Sequence, residues 1–147
     1  AGESRVAAQV RRWNLSARAE GRLRAALARW EGSALRAEAL SWPVVRAEVP
    51  FFQRVESPHG DYLEGAIDLL CTDADGRRAL VVDYKTGDAG LTPDEVRERH
   101  AMQARFYAEV LLAEGFERVE CAFVCVERED EAAPGEPLVV RYEFGGR

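Results

Sequence analysis

Residues 62–86 constrain this chain more than any other stretch, because they read as two apolar strands closed by a tight turn. Residues 62–71 and 79–86 are rich in Leu, Ile, Val and Tyr, and Asp75-Gly76 lies between them. An Asp-Gly pair flanked by such runs is a strong signal for a two-residue hairpin. A turn there pairs residues whose numbers sum to 151, which sets Asp68 opposite Asp83 and Ala66 opposite Lys85. Side chains alternate along a strand, so Asp83 and Lys85 point to one face.

Two opposed carboxylates need a reason. Directly opposed residues have Cβ atoms about 5 Å apart, and like charges there are destabilising or drive one pKa upward. A divalent cation such as Mg²⁺ or Mn²⁺ held between Asp68 and Asp83 removes the conflict, because hard cations take carboxylate oxygens. The hairpin alone also admits a register slipped by a residue or two, with one Asp solvated. Lys85 adds a second pointer: of 20 basic residues it is the only Lys, the other 19 being Arg. Lys is a compact charge that shifts its pKa when buried, whereas Arg is a planar fork that stays protonated. A site that needs a point charge or a proton donor selects Lys, although one residue is also compatible with chance.

At 147 residues, 47% hydrophobic and 31% charged, the chain suits one globular domain with a substantial core. No apolar run approaches the roughly 20 residues that span a bilayer, and no signal-peptide pattern opens the chain, so a cytoplasmic protein without membrane attachment is expected. Three cysteines give no disulfide framework, and Cys121 and Cys125 sit too far apart on a strand to bridge. Cys71, Cys121 and Cys125 therefore read as reduced core residues. The net charge of −6 is uneven. Residues 1–40 carry eight Arg and four Glu, net +4, and the remainder carries 12 basic and 22 acidic residues, net −10. The Arg-rich start suits either phosphate contacts or the solvated face of a helix.

Residues 3–12 and 17–38 read as helices, with Leu23, Leu27 and Trp30 on one stripe and a break or kink at Gly32-Ser33. Val44–Val49 reads as a strand ended by Pro50, and residues 57–61 as a loop. Thr92-Pro93-Asp94-Glu95 has the capping Thr, the N1 Pro and the Glu three residues on that open a helix. Gly115 stops it. Gln103 and Tyr107 share one face of that helix with His100 nearby, and Met102, Phe106 and Val110 form a stripe expected in the core. Strands over 119–126 and 138–144 flank a polar loop, Glu127 to Pro137. This order of elements is α/β with a mixed central sheet flanked by helices.

Asp68, fourteen residues, then Asp83-Tyr84-Lys85 resembles the metal-dependent PD-(D/E)XK nucleases, whose fold is that of restriction endonucleases. The fuller pattern Gly65-Ala66-Ile67-Asp68, Val81-Val82-Asp83-Tyr84-Lys85-Thr86-Gly87 and Gln103-Ala104-Arg105-Phe106-Tyr107 is similar to the RecB-like branch. Those are nuclease domains of bacterial helicase–nucleases that process DNA ends. The resemblance covers roughly residues 42–126. It divides the chain into a helical segment, 1–40, and a nuclease core, 41–147. It also implies metal ligation by Asp68, Asp83 and the Tyr84 carbonyl, with Lys85 acting on the phosphate or the attacking water. Gln103 and Tyr107 then orient nucleic acid or support Lys85, and Glu48 reaches the metal directly or through water, unless it simply faces solvent. The partners implied are DNA ends or single strands and a helicase domain, in the same chain or in another subunit. No ATP-binding Gly-x-x-x-x-Gly-Lys-[Ser/Thr] loop is present, so a motor would lie elsewhere.

Two departures qualify the resemblance. Residues 1–40 contain no His to match the upstream metal-binding His of RecB-like domains, and His59, in a loop before the hairpin, is a poor substitute. The chain then reads either as a piece of a longer helicase–nuclease or as a variant with Glu48 in that role. The cysteines also lack the Cys-x-x-Cys spacing of the iron–sulfur relatives, which weighs against a CRISPR-associated exonuclease. The competing function is a non-catalytic module that binds DNA or a partner through the same fold.

Overall fold

The computed structural model describes residues 16–54 and 62–146. Helices α1 (Ala17–Glu31) and α2 (Ala34–Leu40) come first. They are followed by β1 (Val44–Arg54), β2 (Tyr62–Thr72), β3 (Arg78–Lys85), α3 (Pro93–Ala113), β4 (Arg118–Asp130) and β5 (Ala133–Gly145). The strands form one five-stranded sheet in the order β1-β2-β3-β4-β5, antiparallel except for the parallel β3–β4 pair that α3 connects. This is the expected α/β architecture. The helix expected over 3–12, and the loop that carries His59, lie outside the described residues.

Local chemistry explains the helix ends. Ser16 accepts a hydrogen bond from the Ala19 amide. Ser33 both accepts from the Arg36 amide and donates to the Trp30 carbonyl, so Gly32-Ser33 closes α1 and opens α2 in one turn. At α3 the Thr92 hydroxyl and the Glu95 carboxylate cap each other's backbone amides, with Pro93 at the first helical position.

The sheet is covered on both faces. Val96, Ala104, Tyr107, Ala108 and Leu111 of α3 pack against Val81, Cys121, Phe123 and Val140. On the other face, Ala26, Trp30, Leu35 and Ala39 of α1 and α2 pack against Leu69, Leu80, Val82 and Val124. Odd-numbered β3 residues therefore face α3 and even-numbered ones face α1. Among the described residues no helix is long and apolar enough to cross a membrane.

Three expectations are corrected. β1 runs through Pro50 to Arg54, because it is an edge strand and an edge tolerates a missing donor. Glu127 to Pro137 is a twisted hairpin arm and not a loop: only Glu131 and Ala132 turn, and two register shifts accommodate the extra residues. Its charged side chains sit at exposed or half-buried positions of paired strands while Pro137 is buried. Met102 is 71% exposed rather than in the core, and Phe106 and Val110 are only half-buried. The core stripe of α3 is Val96, His100, Ala104, Tyr107, Ala108 and Leu111, where small alanines let the helix approach the sheet, and that turns Met102 outward.

The three thiols are buried and unpaired, as expected. Desolvation pushes Cys71 and Cys125 up to about 11 and Cys121 up to about 12, so their thiolate fraction near neutrality is negligible. In a thiol-reagent titration at pH 8, the folded protein is expected to react over hours, and the guanidinium-unfolded chain to release three equivalents within minutes. Rapid reaction of the folded protein would place a cysteine at the surface.

Candidate active site

The site forms where β2 and β3 part. Their ladder joins Thr72 to Ala79 and ends at Leu69 with Val82, the register in which paired numbers sum to 151. The turn is longer than two residues. The Asp73 amide donates to the Arg78 carbonyl, the Asp73 carboxylate accepts from the Arg77 and Arg78 amides, and Gly76 takes the left-handed backbone, φ 68°. A four-residue loop centred on the same point keeps the register that a two-residue turn gives.

Beyond Leu69 the ladder is replaced by a side chain. Asp68 Oδ2 accepts the Tyr84 amide at 2.8 Å, so the carboxylate takes the place of a strand partner. Leu69 lies in the core under α1, while Ile67 lies in the core under α3. Residues two apart normally share a face, so β2 twists sharply at Asp68. Asp68 and Asp83 therefore approach as neighbours across a split, and the expected Ala66–Lys85 pairing does not form.

Asp83 and Lys85 project toward α3, where two helical residues meet them. The buried Tyr107 hydroxyl donates to Asp83 Oδ2 at 2.7 Å and accepts from Gln103 Nε2 at 2.9 Å. Gln103 Oε1 accepts from Lys85 Nζ at 2.6 Å, and Lys85 Nζ lies 3.5 Å from Asp83 Oδ1. Asp83, Tyr107, Gln103 and Lys85 thus close a ring in which every donor has a direction. Gln103 must present its oxygen to the ammonium, which leaves its amide nitrogen for the phenol and the phenol's proton for Asp83. Burial, reinforced by Asp83, holds the Tyr107 phenol well above its usual range, so it stays a donor. Phe123 lies beneath, with its ring centroid 5.4 Å from Lys85 Nζ.

The carboxylates feel each other. Burial raises the Asp68 pKa above its usual 3.8, the Tyr84 amide opposes that shift, and Asp83 adds to it. A second anion beside a half-buried carboxylate is what a bound cation would relieve. Among the described residues no three His, Cys, Asp or Glu side chains gather at one point. The donors on hand are two carboxylates and the backbone carbonyl of Tyr84. That set fits Mg²⁺, which keeps several waters and often uses one or two carboxylates.

Glu48 stands apart from this group. It is exposed, between Ala47 (paired with Leu69) and Val49 (paired with Ile67), which puts it at the β1 position facing Asp68. It is the sole non-glycine residue with positive φ among the described residues, at 53°. Such backbone costs a non-glycine residue on the order of 1 kcal/mol.

Tyr107→Phe removes the bridge between Asp83 and Gln103 and leaves one acceptor, Asp83 Oδ2, and one donor, Gln103 Nε2, without that partner. It is expected to cost about 1–3 kcal/mol of stability, read from urea unfolding. No loss would mean that water replaces the hydroxyl. The sequence brought Asp68, Asp83, Lys85, Gln103 and Tyr107 into view. It missed Phe123, which reads as plain core, and Asp88, whose only signal is its place directly after Lys85-Thr86-Gly87.

A search of curated proteins finds no match. Among solved structures the chain is similar to one described as the crystal structure of SSO0001, at 18% sequence identity and TM-score 0.38, over 69% of this chain. The match spans 41% of that protein's length. A family model described as the PD-(D/E)XK nuclease superfamily matches residues 3–142, and by that match the chain belongs to the PD-(D/E)XK nuclease superfamily.

Proposed function

We propose that this chain is a metal-dependent DNA nuclease that hydrolyses phosphodiester bonds. We further propose that it serves as the nuclease domain of a RecB-like helicase–nuclease acting on DNA ends during double-strand break repair. The observation that carries the reading is the ring of Asp83, Tyr107, Gln103 and Lys85 beside Asp68. It holds an ammonium and two carboxylates in fixed positions at the C-terminal end of a parallel strand, where α/β sheets present their ligands.

Asp68, Asp83 and the Tyr84 carbonyl would hold Mg²⁺ or Mn²⁺, with Glu48 reaching it through water. When bound, such a cation lowers the pKa of a water and neutralises charge on the phosphate. Lys85 points its ammonium at the same place, where it stabilises the negative charge that grows on the phosphoryl oxygens. Gln103 fixes the direction of that ammonium, and Tyr107 fixes the orientation of the Asp83 carboxylate. DNA is the partner, as ends or single strands, with a helicase domain to deliver it.

Cleavage of end-labelled linear single- and double-stranded DNA with Mg²⁺, Mn²⁺ or EDTA tests the proposal. Metal-dependent cutting supports it. Absence of both cutting and metal binding favours a non-catalytic binding module.

Glu48 has its own test. Glycine takes positive φ freely, so Glu48→Gly is expected to hold stability within about 1 kcal/mol of wild type while weakening metal affinity. An affinity equal to wild type would leave Glu48 as a surface residue.

A further inference from the structure

A second buried polar cluster lies behind Lys85. Asp88 is 2% exposed and His100 is 9% exposed, and His100 Nε2 lies 2.9 Å from Asp88 Oδ2. Arg99 Nη1 is 3.2 Å from Asp88 Oδ1 as an ion pair, without the geometry of a hydrogen bond. The Cys125 thiol points at Oδ2 from 3.8 Å. Arg128 Nη1 donates to the backbone carbonyls of Asp88 and Leu91 at 2.9 and 2.6 Å. Burying a carboxylate is costly, and a helix–sheet contact of this kind could have been built from apolar residues alone.

Its position suggests what the cluster does. Asp88 is the third residue after Lys85, just past Gly87, whose φ of 83° turns the chain out of β3. His100 is one helical turn before Gln103, the residue that receives the Lys85 ammonium. His100 and Lys85 both lie against Phe123, whose ring centroid is 5.3 Å from the His100 ring and 5.4 Å from Lys85 Nζ. A buried His–carboxylate hydrogen bond therefore ties the end of β3 to α3 beside the Lys85–Gln103 contact.

We propose that Asp88 and His100 are a positioning pair, which clamps the Lys85 end of β3 against α3 so that the ammonium stays aimed at Gln103 and Asp83. The proposal rests on the nuclease reading for its consequence but not for its test. Neither residue touches the substrate. A displacement of about 1 Å at a reacting group can cost on the order of 100-fold in rate.

Lys85 is the only lysine, so protein grown with ¹³Cε-lysine shows one side-chain ε-methylene signal. In EDTA, His100→Phe, which keeps a ring beside Phe123 but loses the bond to Asp88, is expected to shift and broaden that signal. His100→Gln, which keeps a nitrogen donor, is expected to restore it. With Mg²⁺ and labelled single-stranded DNA, His100→Phe is expected to lower kcat about 10-fold or more, with KM and metal affinity within two-fold of wild type. An unchanged Lys85 signal in a folded His100→Phe protein overturns the clamp, whatever happens to activity. Should His100→Phe fail to fold, Asp88→Ala takes its place and is read the same way. If wild type cuts no DNA, the nuclease reading fails and the lysine signal still decides the clamp.

Discussion

Lys85→Ala is expected to slow cleavage of labelled single-stranded DNA by about 10²–10³-fold, the usual loss when one donor aimed at developing charge is removed. Divalent metal binding should stay within a few-fold of wild type. The separation of the two effects follows from the geometry. Lys85 Nζ bonds to Gln103 at 2.6 Å and sits 3.5 Å from Asp83 Oδ1, so it supports the carboxylates without supplying a metal donor. Lys85→Arg should not rescue the rate. Its planar fork cannot enter a place shaped for a point charge over the Phe123 ring, and it would compete for both Asp83 oxygens. Single-turnover rates and Mn²⁺ calorimetry on the same preparations provide the check. Cleavage by Lys85→Ala at the wild-type rate would remove Lys85 from the chemistry.

The sequence made the hairpin legible for a physical reason. The Asp-Gly turn signal and the apolar runs fix where pairing is centred, and β2 and β3 pair from Leu69 and Val82 to Thr72 and Ala79 as that centre requires. It could not show where the pairing stops. Alternation extends a ladder indefinitely on paper, whereas in the fold Asp68 captures the Tyr84 amide and ends it. The Gln103–Tyr107 pair was legible because residues four apart on a helix share a face. Met102 was not, because hydrophobicity ranks it above Ala104 and Ala108, yet those small residues make the close contact. The Glu127–Pro137 arm was misread because charge and Pro-Gly mark a loop only when no neighbouring strand is there to pair with them. Asp88 escaped notice because its partners come from α3 and β4, and no local pattern announces a contact of that range.

Asp68→Asn is expected to move stability and function in opposite directions. Burial and the neighbouring Asp83 raise the Asp68 pKa in the folded protein, which therefore holds this proton more tightly than the unfolded chain does. As pH climbs from the ordinary value of 3.8, the unfolded chain loses the proton first. Stability therefore falls until the folded pKa is passed, then levels off at the lower value. Asn keeps an oxygen for the Tyr84 amide and carries no charge, so the variant should lose that slope. In EDTA at pH 7 it should melt at or above the wild-type temperature. Saturating Mg²⁺ should reverse the order. At a hundred times its Kd, a ligand adds about 2.7 kcal/mol to the folded state, or roughly 5–10 °C in a domain of this size. Wild type should show that rise, and Asp68→Asn should show little of it while its cleavage drops to background. Melting curves over pH 4–8, with and without Mg²⁺, read both halves at once. An equal Mg²⁺-induced rise in the two proteins would mean that the cation binds somewhere other than between Asp68 and Asp83. A lower melting point for the variant in EDTA would mean that the Asp68 charge stabilises the split between β2 and β3, and that the two carboxylates do not repel each other there.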